Sequence, residues 1–159
     1  MIYYVCKYAP VELFKGFGQE CAVLEEMPEN FDKSDKIAHA NLCGFGKSVI
    51  QAVLEGKVEE LVLVNCCDSM RRVYDIIENT KKCKFLYMLD LPHEDNECEN
   101  IKFAQSILRL KKAYERYSHR TFDRELFIKS FAKPQSEHKP YIGLMGVHVS
   151  SILEKTIRE

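Results

Sequence analysis

Short apolar runs alternate with amphipathic stretches along this chain. "IYYVC" (2–6), "ELVLVNC" (60–66) and "KFLYMLDLP" (84–92) are rich in β-branched and bulky apolar residues and end in polar ones or at Pro92. Runs of that length and bounding read as strands covered on both faces. "CAVLEE" (21–26) is a weaker fourth. Helical spacing fills the intervals. "PVELFKGFG" (10–18) has Pro10 in its first turn and a glycine stop. The 41–56 stretch opens on Asn41 as N-cap, places Val49, Ile50, Val53 and Leu54 at helical intervals and stops at Gly56. Met70, Val73, Tyr74 and Ile77 share a face of a helix over 69–82, and Phe103, Ile107, Leu110 and Tyr114 form the stripe of a longer one over 99–118. A shorter helix covers 123–132. Strand alternating with helix predicts an α/β fold with a largely parallel sheet.

The pattern changes after residue 132. "KPQSEHKP" (133–140) is polar with a proline at each end and reads as a linker; "YIGLMG" (141–146) is strand-like, and "SSILEKTIRE" (150–159) is one short amphipathic helix. A strand and helix there either add one more unit to the sheet or start a second domain; the expected division is an α/β domain over 1–138 and, over 139–159, a linker end with the first strand and helix of a second domain that is missing or truncated.

Composition removes several classes of function. Lys and Arg total 23 against 24 Asp and Glu, a net charge of −1, so no basic field draws the chain to nucleic acid or to an anionic membrane surface. No stretch approaches the length of a spanning helix and no cleavable leader pattern is present, so the expected location is the cytoplasm. There, seven cysteines point away from structural disulfides and toward metal, catalysis or burial. Cys6, inside a strand pattern, and Cys21, beside "AVL", read as small core residues, and Cys83 and Cys98, in charged surroundings, as incidental.

Three cysteines remain. Cys66 and Cys67 fall at the carboxyl end of the 60–66 strand and just before the 69–82 helix, in the crevice where open α/β sheets bind ligands. Cys43 falls in the first turn of the 41–56 helix, where free N–H groups and the helix dipole favour a thiolate. Such thiolates suit a soft metal or an iron–sulfur cluster. The paired CxxC spacing of zinc sites is absent, and the "GFG" triplets at 16–18 and 44–46 are too sparse for phosphate loops.

"YVCKYAPVELFKGFG", "HANLCGFGKSVIQAVLEG", "LVLVNCCDSMRRVYD", "FLYMLDLPH" and "YIGLMGVHVSS" resemble, in this order and at fitting intervals, the cluster-bearing subunits of 2-hydroxyacyl-CoA dehydratases and the related benzoyl-CoA reductases. The resemblance implies a Rossmann-like three-layer domain followed by the start of a second, with a 4Fe–4S cluster between two such domains, held by two cysteines of the first and one of the second. On that pattern Cys43 and Cys67 are first-domain ligands and Cys66 is a neighbour. Relatives with a doubled cubane use adjacent cysteines, which keeps Cys66 open as a ligand, on the expectation that strand alternation makes the two thiols diverge.

The implied activity is a lyase reaction, removal of water from a 2-hydroxyacyl-CoA thioester by a one-electron ketyl radical route. The implied partners are an ATP-dependent activator protein that brings the electron, the acyl-CoA, and a second subunit or the missing C-terminal domain. Four further residues have two readings each. Glu12 matches an acid of the family's block and is a substrate-side candidate, or simply answers the helix dipole. His39 stands at the cluster mouth or in an exposed loop. Ser69 bonds a cluster sulfur or, with Asp68, caps the helix. Arg71, with Arg72, neutralises a cluster or CoA phosphate or pairs with a nearby acid. The rival to the whole reading is a cluster-free α/β interaction or regulatory module.

Overall fold

The computed structural model describes residues 1–25, 27–132 and 155–156. The expected linker, strand and helix over 133–159 lie outside the described residues, Lys155 and Thr156 apart, which are helical. Four strands, β1 (Ile2–Tyr4), β2 (Cys21–Val23), β3 (Glu60–Val64) and β4 (Phe85–Leu89), form one sheet in the order β2-β1-β3-β4, every pair parallel. Five helices accompany them among the described residues: α1 (Val11–Lys15), α2 (Gly44–Leu54), α3 (Asp68–Thr80), α4 (Glu97–Ser118) and α5 (Arg124–Lys129).

Side-chain alternation along the strands builds two cores. Tyr3, Leu61, Leu63, Leu86 and Met88 face a largely aliphatic layer with Val49, Ile50 and Val53 of α2 and Met70, Val73 and Ile77 of α3. Ile2, Val62, Phe85, Tyr87 and Leu89 face the opposite layer, where Leu13 and Phe14 of α1 and Leu110 and Tyr114 of α4 pack. Period-two alternation with both faces apolar leaves no polar side to the central strands, which is why β3 reads as an unbroken apolar run. Tyr114 is the hub of the second layer: its ring lies 5.1 Å from Phe14 and from Phe85, both edge-on, and 5.2 Å from Phe17.

The strands are shorter than the apolar runs that encode them. β1 stops at Tyr4 because the chain turns back over Cys6–Ala9, closed by the Ala9 amide donating to the Cys6 carbonyl (2.9 Å). Cys6 therefore stands beyond the strand, half-buried, and not within it. Helix ends follow local chemistry. α2 closes in a Schellman motif: Lys57 N–H reaches the Ala52 carbonyl and Gly56 N–H the Val53 carbonyl, both at 3.0 Å, with Gly56 at φ 76°. α4 begins at Glu97, earlier than its apolar stripe, because the Asn96 side chain accepts from Glu99 N–H at 2.9 Å.

Connections from β1 run one way, through α1 to β2, and those from β3 run the other way, through α3 to β4. The strand order therefore reverses between β1 and β3, the switch point at whose carboxyl edge α/β sheets open a crevice.

Candidate functional site

The carboxyl edge at the switch point is made by the segments that follow β1, β3 and β4. After Val64 the ladder continues for one bond, from Asn65 N–H to the Leu89 carbonyl (2.8 Å), and then breaks as Cys66 N–H turns back to the Val64 carbonyl (2.8 Å). Cys67 takes an extended conformation (φ −162°, ψ 164°) and is itself the N-cap of α3. Asp68 and Ser69, expected as caps, are instead the first helical residues; the Asp68 carboxylate is drawn to Arg71 (3.2 Å), and Ser69 is half-buried in the first turn.

Cys43 is likewise the N-cap of α2, not Asn41. Residues 39–42 form a turn in which Leu42 N–H donates to the His39 carbonyl (3.0 Å) and Asn41 N–H to His39 Nδ1 (3.2 Å), so the helix can start only beyond it. The Cys43 sulfur then accepts from Gly46 N–H at 3.4 Å. His39 is exposed, and its ring nitrogen is engaged in this turn.

Two cysteines thus occupy the N-cap positions of two neighbouring helices that pack on each other, Cys43 with a side-chain cap bond and Cys67 without one. Gly46 sets their approach: a Cβ built there would stand 3.0 Å from Val73 of α3 and 3.5 Å from the Cys43 sulfur. Cys43, Cys66 and Cys67 are all exposed. Cys66 and Cys67 do not diverge as strand neighbours would, because both lie past the end of β3. Partial desolvation, then the Cys67 charge, a hydrogen bond with Cys67 and the Cys6 charge push the Cys66 thiol above its ordinary range. Cys6 is thus in electrostatic reach of the pair, a neighbour that reading it as core conceals; its signal in the sequence is that it follows the first strand's carboxyl end.

The donor chemistry suits a cluster's thiolate ligands: soft sulfur atoms, exposed, at helix N-termini. Among the described residues, however, no three His, Cys, Asp or Glu side chains are grouped so as to hold a metal ion.

Arg71 is committed to structure. Its Nε donates to Asn65 Oδ1 (2.6 Å), Asn65 Nδ2 donates to Asp90 Oδ1 (2.7 Å), and its Nη1 meets Asp68. Arg72 pairs with Asp75 at 3.1 Å. The other cysteines are held by backbone carbonyls. Cys83, read from its charged surroundings as incidental, is half-buried, with Sγ 3.2 Å from the Glu59 carbonyl and 3.1 Å from that of Phe85; Cys21 lies 3.9 Å from the Val11 and Gln19 carbonyls. Burial pushes both thiols up to about 11. Cys98 is exposed.

A cavity of about 710 Å³ opens from the same edge on the α1/α4 face. Glu12, in the first turn of α1, lines it together with Lys7, Leu91, Phe103 and Phe131. The sequence gives no warning of this cavity, since its walls come from four separate segments. No helix among the described residues is long and apolar enough to cross a membrane.

The family model described as 2-hydroxyglutaryl-CoA dehydratase, D-component, matches residues 6–141, a span that begins at Cys6 and takes in Cys43, Cys66 and Cys67. No curated protein matches the chain.

Proposed function

Because the chain belongs to the 2-hydroxyglutaryl-CoA dehydratase D-component family, we propose that it is the thiolate-bearing α/β domain of a 2-hydroxyacyl-CoA dehydratase and shares an iron–sulfur site with groups outside the described residues. The observation that carries this reading is the use of cysteines as N-caps on two packed helices, α2 and α3, at the carboxyl edge of a parallel sheet. Serine, threonine, aspartate and asparagine are the residues ordinarily favoured at that position. Cysteine there forgoes a strong cap and gains a sulfur in the positive field of a helix N-terminus.

Cys43 and Cys67 would hold the cluster, with Cys66 as their neighbour. When bound, a 4Fe–4S cluster supplies a low-potential electron for the one-electron loss of water from a 2-hydroxyacyl-CoA thioester. The protein's own residues present these sulfurs at two helix N-termini, and the Arg71–Asn65–Asp90 chain fastens the loop that carries Cys66 and Cys67. A D component implies a partner subunit, and an ATP-dependent activator would deliver the electron.

Protein purified without oxygen and supplied with iron and sulfide, alone and with its partner subunit, tests the reading through visible absorbance and iron and sulfide content. Uptake is expected to rise with the partner, to fall to background in Cys43→Ala and Cys67→Ala, and to persist in Cys98→Ala. Iron lost on replacing Cys66 but not Cys67 would move the ligand assignment to Cys66. The lack of a three-ligand group among the described residues favours one alternative, the cluster-free interaction module, and absence of iron uptake under every condition would select it.

A further inference from the structure

The cavity beside the thiol edge differs in chemistry from what a carboxylate-ended acyl group requires. Its walls are Leu13 of α1, Leu91 and Pro92 after β4, Phe103 and Ile107 of α4, and the phenyl rings of α5 and its end. Its charged lining residues are Lys7 and Glu12, which offset each other, and Lys7 Nζ already lies 5.1 Å over the Tyr8 ring. Both come from the 7–12 segment just past β1, so the charge gathers at the edge and the rest of the wall is apolar. Recognition of a buried carboxylate ordinarily takes an arginine fork or several donors, and among the described residues no arginine lines this cavity.

A polar cleft shares Leu91, Pro92 and Phe103 with the cavity and holds Lys102 and Arg109. Lys102 is paired with Glu99 at 2.7 Å, and Arg109 donates to the Ser106 hydroxyl at 2.9 Å outside the cavity's own lining. The volume falls in the range of small-ligand sites, which enclose apolar groups and orient them by a few polar groups at one end. β3, which carries Cys66 and Cys67, lies directly between β1 and β4, whose following segments form the cavity's edge. Cavity and thiols therefore open at the same carboxyl edge of the sheet, the cavity on its α1/α4 face and the thiols at the ends of α2 and α3.

Resting on the reading of the chain as a 2-hydroxyacyl-CoA dehydratase component, we propose that this cavity selects an apolar acyl chain, aliphatic or aromatic, over the glutaryl group in the family's description. The lining offers a second carboxylate no net positive charge, and the apolar wall rewards methylenes.

Calorimetric titration of the full chain with CoA, butyryl-CoA, hexanoyl-CoA and glutaryl-CoA tests it. Affinity is expected to rise about fourfold per methylene from butyryl to hexanoyl, with CoA weakest and glutaryl-CoA roughly tenfold weaker than hexanoyl-CoA. Phe131 is 56% exposed, so charged replacements there leave the fold intact, as amide circular dichroism would verify. Phe131→Glu is expected to weaken hexanoyl-CoA about tenfold, and Phe131→Lys to strengthen glutaryl-CoA. Glutaryl-CoA binding as tightly as hexanoyl-CoA, indifference to chain length, or no binding of any thioester would overturn the proposal. Iron and sulfide measured on the same sample separate the two readings. Iron uptake without chain-length dependence sinks the cavity assignment alone, and chain-length dependence without iron sinks the cluster alone.

Discussion

Arg71 Nε donates to Asn65 Oδ1 at 2.6 Å, which fastens the first turn of α3 to the residue that precedes the paired thiols. Asn65 passes the link on to Asp90 at the end of β4, so the Cys66–Cys67 loop is anchored from both sides. Asn65→Ala removes both bonds at once. Because these side chains are partly solvated, the expected loss is about 1 kcal/mol, read as a lower urea midpoint at unchanged slope. A loss indistinguishable from zero would show that water replaces the link at no cost.

Gly46 predicts a different failure. A methyl group there would press on Val73 Cγ2 at 3.0 Å and on Leu42 at 3.3 Å, and the Val73 end is packed in a core with little room to give. Gly46→Ala is expected to cost about 1–3 kcal/mol despite its better helix propensity. It should also reduce iron uptake, since it pries apart the two helices whose ends carry Cys43 and Cys67. A variant more stable than the parent would mean that the helices separate freely.

Gln51 is 1% exposed on α2, and its Oε1 accepts from Ser34 N–H (2.8 Å) and Lys33 N–H (3.1 Å). That one oxygen pins the 31–38 loop to the helix. Gln51→Leu keeps the volume and strands two backbone donors, so a loss of about 2 kcal/mol is expected. Amide exchange at Lys33 and Ser34 should speed up relative to the sheet, and unchanged protection there would contradict the role given to Gln51.

Alkaline pH should loosen the fold in a defined order. Burial raises Cys21 and Cys83 from 9.0 to about 11, burial and then the charge of Glu60 raise Tyr114 from 10.0 to about 12, and burial, then the Tyr117 hydrogen bond to Glu60 and its charge, raise Tyr117 likewise. Each group gives up its proton more readily unfolded than folded. Their stabilisation is therefore complete below pH 9 and drains away as pH rises through 11 and then 12. The same burial should protect Cys21 and Cys83 from iodoacetamide at pH 8, while Cys43, Cys67 and Cys98 react, as peptide mass spectrometry can resolve. Early labelling of Cys83 would contradict its place against the Glu59 and Phe85 carbonyls.

The sheet is legible because covered strands write themselves as continuous apolar runs: "ELVLV" could be little else. The same property hides their ends, since an apolar run continues past the last ladder bond, as it does through Val5 and Cys6. Local propensity misplaces the helix start wherever a cysteine takes the N-cap position. Asn41 and Asp68 are favoured caps by propensity, but the turn at 39–42 and the pull of Arg71 on Asp68 moved both starts. Pairing of Cys66 with Cys67 and the reach of Cys6 depend on how the chain leaves two different strands, which no local pattern encodes. Gln51 was equally invisible, because a glutamine at an amphipathic helix's inner face reads as a surface residue.

The aromatic residues are divided unequally between the two layers. Phe14, Phe17, Phe85, Tyr114, Tyr117 and Phe122 crowd the α1/α4 side, while the α2/α3 side is packed mainly with branched aliphatic chains. The chain contains no tryptophan, so its near-ultraviolet dichroism originates chiefly in one layer, whereas amide dichroism samples helices on both. The molecule thus carries a built-in optical asymmetry. Melting curves recorded at the two wavelengths will superimpose only if the sheet binds its two coats into one cooperative unit.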